Sequence, residues 1–189
     1  MELAKKYCKG EGLEIGGAAH NTFPGINAKN VDLGDSSWEF YKESQIKQCG
    51  TYLPVDIKAS GDDIPVDDNS QDFVINSHVL EHFQNPIKTM VEWDRVVKPG
   101  GHVFMIVPHK MRTFDIDKPR TTLVEVVQRW YDKLPNDDHS KHFSFWITQD
   151  LINVINWMIR NKVVNWEITE VEDSDSKVGN GFTVVCKKL

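Results

Sequence analysis

The stretch Asn85-Pro86-Ile87-Lys88-Thr89-Met90-Val91-Glu92-Trp93-Asp94-Arg95-Val96-Val97-Lys98-Pro99-Gly100-Gly101-His102-Val103-Phe104-Met105-Ile106-Val107 decides the fold. Asn85 is placed to cap a helix whose first residue is Pro86, and Ile87, Met90 and Val91 fall on one face. Lys98-Pro99-Gly100-Gly101 is a stop signal. His102 to Val107 is then almost continuously apolar, which is the pattern of a strand covered on both faces.

Working outward, Gly12–Ile15, Lys29–Leu33 and Phe73–Ile75 read as further strands, and Thr51–Ile57 as a weaker one. Ser37–Lys47 reads as a helix. Thr148 is expected to cap another that carries Leu151, Ile155 and Met158 at helical spacing. Trp166–Val171 alternates, 173–181 is rich in turn residues, and Phe182–Cys186 is a last strand. The connection between those two strands has no room for a helix, so they should pair antiparallel. The expectation is an α/β sandwich with a mostly parallel sheet and a C-terminal antiparallel hairpin. Without repeats or a linker, residues 1–189 read as one domain.

The bulk composition narrows the function. At 189 residues, 40% apolar and 26% charged, the chain can bury a core without staples. A formal net charge of −6 argues against a nucleic-acid partner, and Lys5-Lys6 and Lys187-Lys188 read as solvated ends. Cys8, Cys49 and Cys186 are far apart, so no thiolate metal site is expected, and reduced thiols fit a cytoplasmic protein. Neither a signal peptide nor a bilayer-spanning run is visible, so no membrane partner is expected.

In an open parallel sheet, ligands bind beyond the carboxyl ends of the strands. The first strand ends in Glu14-Ile15-Gly16-Gly17-Ala18, where glycine lets backbone approach a ligand; a plain tight turn is the alternative. Asp32, sixteen residues after Gly16, ends the next strand, where an acid can accept both hydroxyls of a ribose. Pro24-Gly25 interrupts the short gap between them, so a long phosphate-binding helix barely fits. That spacing disfavours a dinucleotide and tolerates S-adenosylmethionine, which has no phosphate.

The third element is Ser60-Gly61-Asp62-Asp63-Ile64-Pro65-Val66, followed by Asp72-Phe73-Val74-Ile75-Asn76-Ser77-His78-Val79-Leu80-Glu81-His82. Together with Arg95-Val96-Val97-Lys98-Pro99-Gly100-Gly101, these segments resemble the class I S-adenosylmethionine-dependent methyltransferases, in particular the type 11 group, over residues 11 to 108. The resemblance implies a Rossmann-like sandwich with its cofactor half at about 1–108 and a substrate-facing insert at about 109–147. It implies that Glu14 orients the first loop, that Gly16 and Gly17 face the methionine part and that Asp32 takes the ribose. Gly61, Asp62 and Ile64 would frame the adenine, and Ser77 would lie beside the sulfonium. The chain departs from the group in three places. Gly16-Gly17-Ala18-Ala19-His20 lacks two of the usual glycines, Ser60 stands where an acid is usual, and the N-terminal lid is reduced to Met1–Lys9.

His78-Val79-Leu80-Glu81-His82 also matches His-x-x-Glu-His, an inverted zinc-protease signature. That alternative requires both histidines on one helix, i and i+4. The insert is dense in polar groups, and removing a proton from a hydroxyl acceptor needs a base or a metal. His109 is the first candidate because it ends the fifth strand. His82 and His142 come next, and Asp115 could orient a histidine or bind a divalent ion. The insert resembles that of methyltransferases from polysaccharide and natural-product pathways, which points to O-methylation of a small molecule. A non-catalytic cofactor-binding domain in a biosynthetic complex is the rival.

Overall fold

The computed structural model describes residues 2–34 and 36–189. Its elements are α1 (Glu2–Tyr7), β1 (Gly12–Ile15), β2 (Ala28–Asp32), α2 (Ser36–Cys49), β3 (Ile57–Lys58), β4 (Gln71–Ser77), α3 (Pro86–Val96) and β5 (Val97–Pro108). They are followed by α4 (Leu123–Tyr131), α5 (Thr148–Arg160), β6 (Trp166–Glu172) and β7 (Gly181–Lys188). One seven-stranded sheet runs in the order β3-β2-β1-β4-β5-β7-β6. The first five strands are parallel, and β7 lies antiparallel between β5 and β6. This is the expected α/β architecture with its antiparallel C-terminal hairpin.

The strand β5 shows why the sheet is a middle layer. Val103, Met105 and Val107 join the core formed with Ile87, Met90 and Trp93 of α3 and Leu151 and Ile155 of α5. Phe104 and Ile106 point to the opposite core, with Ala4, Cys8 and Phe23. Both faces are covered, as the continuous apolar run requires. Asn85 caps α3 by accepting from Lys88 N at 3.1 Å, with Pro86 in the first turn. Ile87 and Met90 are fully buried, while Val91 sits at the margin of the stripe.

Three local expectations are corrected. The strand expected at 51–57 shrinks to Ile57–Lys58. Pro54 has no N–H for a ladder, and its carbonyl instead accepts from Asn30 Nδ2 at 3.0 Å. Lys98-Pro99-Gly100-Gly101 does not separate helix from strand. β5 begins at Val97, and the pairing with β4 shifts register between Gln71 and Phe73, opposite a bend where Gly100 takes a φ of 85°. Thr148 is the first residue of α5, not its cap, and its hydroxyl donates to Asp173. The free Ile147 N–H is satisfied by Asp150 Oδ2 at 3.0 Å.

After β1 the chain builds β2 and β3 outward on one side, then returns to place β4 on the other side of β1. The order therefore reverses between β1 and β4, which opens a crevice at their carboxyl ends. Among the described residues, no helix is long and apolar enough to cross a membrane.

Candidate active site

A cavity of about 530 Å³ occupies that crevice. Gly16 follows β1, Asp32 ends β2, and Gly61 closes the loop after β3; all three line the cavity. Val31, Leu33 and Ala59 make an apolar wall beside Asp32. His78, Val79 and His82 approach from the segment after β4.

The shortened glycine run is supported from β2. Gly16 has a φ of 66° and donates to the Val31 carbonyl at 2.9 Å. Gly17 N donates to Asn30 Oδ1 at 2.9 Å, and Asn30 is 3% exposed. A Cβ on Gly16 would come within 2.8 Å of Val79 Cγ2. Gly16→Ala is expected to cost about 1–2 kcal/mol in urea unfolding through left-handed backbone strain and this contact. Val79→Ala in the same chain should recover only the steric part. Full recovery would show that the backbone is not strained.

Glu14 is not among the residues that line the cavity, and burial pushes its carboxyl up to about 7 against the pull of Lys177. Lys177 comes from the β6–β7 connection. Burial lowers it to about 8; its Nζ donates to the Asn21 carbonyl at 2.7 Å and lies 3.4 Å above the Phe23 ring. Tyr41 of α2 lines the cavity, and its hydroxyl is pushed up to about 12 by burial and by the charges of Asp32 and Glu14. Asn30, Tyr41 and Lys177 escaped sequence reasoning, since no local pattern marks them.

Several expected cofactor residues stand behind the cavity rather than in its lining. Ile64 is core, and its N–H donates to Glu92 Oε1 at 2.7 Å. Ser77 is buried and accepts from Asn21 Nδ2 at 3.4 Å. Gly17 is turned to Asn30. Asp62 is buried and accepts from Lys88 Nζ at 2.6 Å, Asn136 Nδ2 at 3.0 Å and the Ser60 hydroxyl. It thus ties α3 to the insert. These donors hold its pKa below the ordinary carboxylate value despite burial. The stabilisation is therefore complete above the unfolded pKa of about 4 and is lost as pH falls through the lower native value. Asp62→Asn should cost about 2 kcal/mol at neutral pH. The variant and parent melting curves should converge on acidification from pH 6 to 2; a constant gap would mean Asp62 does not titrate in this network.

The four catalytic candidates divide. His109 lies outside the lining: its Nδ1 accepts from Met111 N at 3.3 Å and its ring packs edge-on to Phe182. His82, His142 and Asp115 are brought together. His142 Nδ1 is 2.7 Å from Asp115 Oδ2, His82 Nδ1 is 3.2 Å from the Lys141 carbonyl, and the rings meet edge to face at 4.7 Å. Burial and the neighbouring His142 lower His82 to about 4. Glu81 beside them is fully buried and pushed up to about 8 by loss of solvent. The zinc-protease geometry is absent. His78 has a φ of 58°, and only a short 3₁₀ turn, Leu80–His82, follows. The two histidines therefore do not share a helix face.

A switch-point cavity with a glycine turn and a strand-end acid is common to several nucleotide-binding folds, and the comparison with known proteins decides among them. Residues 10–105 match the model of a family described as methyltransferase domain. The chain belongs to this methyltransferase family. An uncharacterized protein of Methanocaldococcus jannaschii is 34% identical over 107 residues, 56% of this chain and 48% of the relative. An uncharacterized methyltransferase of Schizosaccharomyces pombe is 38% identical over 65 residues, 34% of this chain and 22% of that protein. The chain thus spans about half or less of these relatives. A crystal structure of a Thermotoga maritima S-adenosylmethionine-dependent methyltransferase, described as a possible histamine N-methyltransferase, superposes with a TM-score of 0.58 at 15% identity. The overlap covers 98% of this chain and 85% of that one, and it shows the fold.

The cofactor of the family is S-adenosylmethionine, and the residues present suit it. The turn at Gly16 leaves no room for a Cβ, the Val31–Leu33–Ala59 wall is apolar, and Asp32 stands beside it as an acceptor for hydroxyls.

Proposed function

We propose that this methyltransferase-family chain methylates a hydroxyl of a small molecule, a sugar or natural-product precursor being the acceptor class, with the 109–147 insert facing that acceptor. S-adenosylmethionine supplies a methyl group on a positively charged sulfur. The observation that carries the reading is the part of the cavity lining contributed by the segment after β4 and by the insert. There His82 lines the wall and is backed by His142 and Asp115, and His139 and Ser140 of the insert also line it. A hydroxyl is a weak nucleophile until its proton is withdrawn, and this group of imidazoles and a carboxylate is the place where that occurs. The largely apolar lining, with Ile15, Val31, Leu33 and Val79, limits water at the reacting centre and orients the acceptor in line with the methyl group. Asp32 and Gly16 bind the cofactor, Glu14 and Asn30 hold the turn, and Gly17, Gly61, Asp62, Ile64 and Ser77 shape the surrounding frame. The net charge of −6 supports a small acceptor over nucleic acid.

Calorimetry with S-adenosylmethionine and S-adenosylhomocysteine tests the cofactor site. A methyl-release assay over hydroxyl, amine and carboxylate acceptors then tests the chemistry. Transfer confined to hydroxyl acceptors is expected. Transfer confined to amines would overturn the acceptor class, and absence of cofactor binding would overturn the whole reading.

A further inference from the structure

We propose that Glu81, His82 and His142 form a binding site for a divalent first-row transition-metal ion at the acceptor edge of the cavity. Glu81 Oε1 is 3.9 Å from His82 Nε2 and 3.9 Å from His142 Nε2. All three ligand atoms lie within 4.8 Å of one another. Metal–ligand bonds of about 2.0–2.2 Å place ligand atoms about 3.0–3.5 Å apart, so each pair must close by about half an ångström to somewhat over one ångström.

Two independent features point to an ion. The first is the outer hydrogen bonding. His142 Nδ1 faces Asp115 Oδ2 at 2.7 Å, and His82 Nδ1 faces the Lys141 carbonyl at 3.2 Å. An oxygen acceptor at Nδ1 fixes the proton there and leaves the Nε2 lone pair for a metal, which is how ligating histidines are held. The second is Glu81. It is 0% exposed, and neither carboxylate oxygen has a hydrogen-bond partner. A buried carboxyl group whose polar atoms have no partner is costly whether or not it is ionised, and a cation within its reach removes that cost.

The backbone delivers the ligands together. Glu81 and His82 sit on the turn after β4, and His142 comes from the insert. Phe143 N donates to the Glu81 carbonyl at 2.8 Å, which clamps the two segments. Two imidazoles and one carboxylate suit zinc, iron, cobalt or manganese better than calcium or magnesium, which take oxygen ligands. Three protein ligands leave open positions, and His82 borders the cavity. An acceptor hydroxyl bound there would lose its proton to water more readily and present its oxygen to the methyl group. That role rests on the methyl-transfer reading; the ion site does not.

The test uses the full chain, untagged, stripped with chelator and dialysed against zinc or cobalt(II). About one ion per chain is expected, with visible cobalt absorption of a nitrogen–oxygen site. His82→Ala and His142→Ala should lose stoichiometric metal, and Asp115→Asn should weaken binding by about 10–100-fold. His102→Ala, in the middle of β5 with its ring against Tyr7, should bind as the parent does. Glu81→Gln should lose most affinity. S-adenosylhomocysteine calorimetry on each variant reports whether the cofactor cavity is intact. Binding well below one ion, or equal losses in His102→Ala and His142→Ala, would overturn the site. Intact metal binding without cofactor binding would overturn the methyltransferase reading and leave the ion site standing.

Discussion

Asp32→Ala is expected to lower affinity for S-adenosylmethionine and S-adenosylhomocysteine by about 100-fold. Asp32 ends β2, and its Oδ1 accepts from Leu33 N at 2.7 Å, which turns the carboxylate onto the cavity wall. Hydrogen bonds to a charged acceptor contribute about 1.5–3 kcal/mol each. Losing two, with water replacing part of each, leaves a deficit of about 3 kcal/mol, which is the 100-fold. Asp32→Asn should lie between the two, since an amide accepts through one oxygen only. Tyr41 supplies a second readout, because the Asp32 charge is one of the causes that raise its pKa. Removing that charge should move the ultraviolet titration of Tyr41 to lower pH. Calorimetry showing unchanged affinity in Asp32→Ala would place the ribose elsewhere.

Trp93→Ala should cost about 3–5 kcal/mol in urea unfolding. Trp93 is fully buried on α3 between the sheet and the neighbouring helices, and its Nε1 donates to the Gly61 carbonyl at 2.8 Å. One side chain therefore fills the core and fixes the loop that closes the cavity. Trp93→Phe separates the two roles. It keeps an aromatic ring, loses the donor and leaves the Gly61 carbonyl unpaired, at about 1–3 kcal/mol. Its cofactor affinity should fall more than that of a core variant remote from the loop, such as Met158→Ala. If both lose affinity equally, the Trp93–Gly61 bond does not position the site.

The apparent loss of glycines after β1 illustrates how far a motif can be trusted. Gly16 and Gly17 occupy the expected place, yet the amide of Gly17 is held by Asn30, a β2 residue without any pattern of its own. Likewise Asp62, expected as a cofactor ligand, is engaged by Lys88 and Asn136. A carboxylate near a site has no local signature for which neighbours will claim it.

The order of strands and helices was legible because it is written in local chemistry. An apolar run such as His102–Val107 must be covered on both faces, Asn85-Pro86 starts a helix, and the acid at Asp32 marks a strand end. The same local rules misplaced β3 and the start of β5, where a missing proline N–H and a glycine bend act through pairing with another strand. Tertiary structure alone decided which distant groups meet. Lys177 reaches the Glu14 turn, and Glu81 and His82 meet His142 across some sixty residues of chain. Periodicity and capping operate within a few residues, whereas the field at a buried carboxylate is set by whatever the fold packs against it.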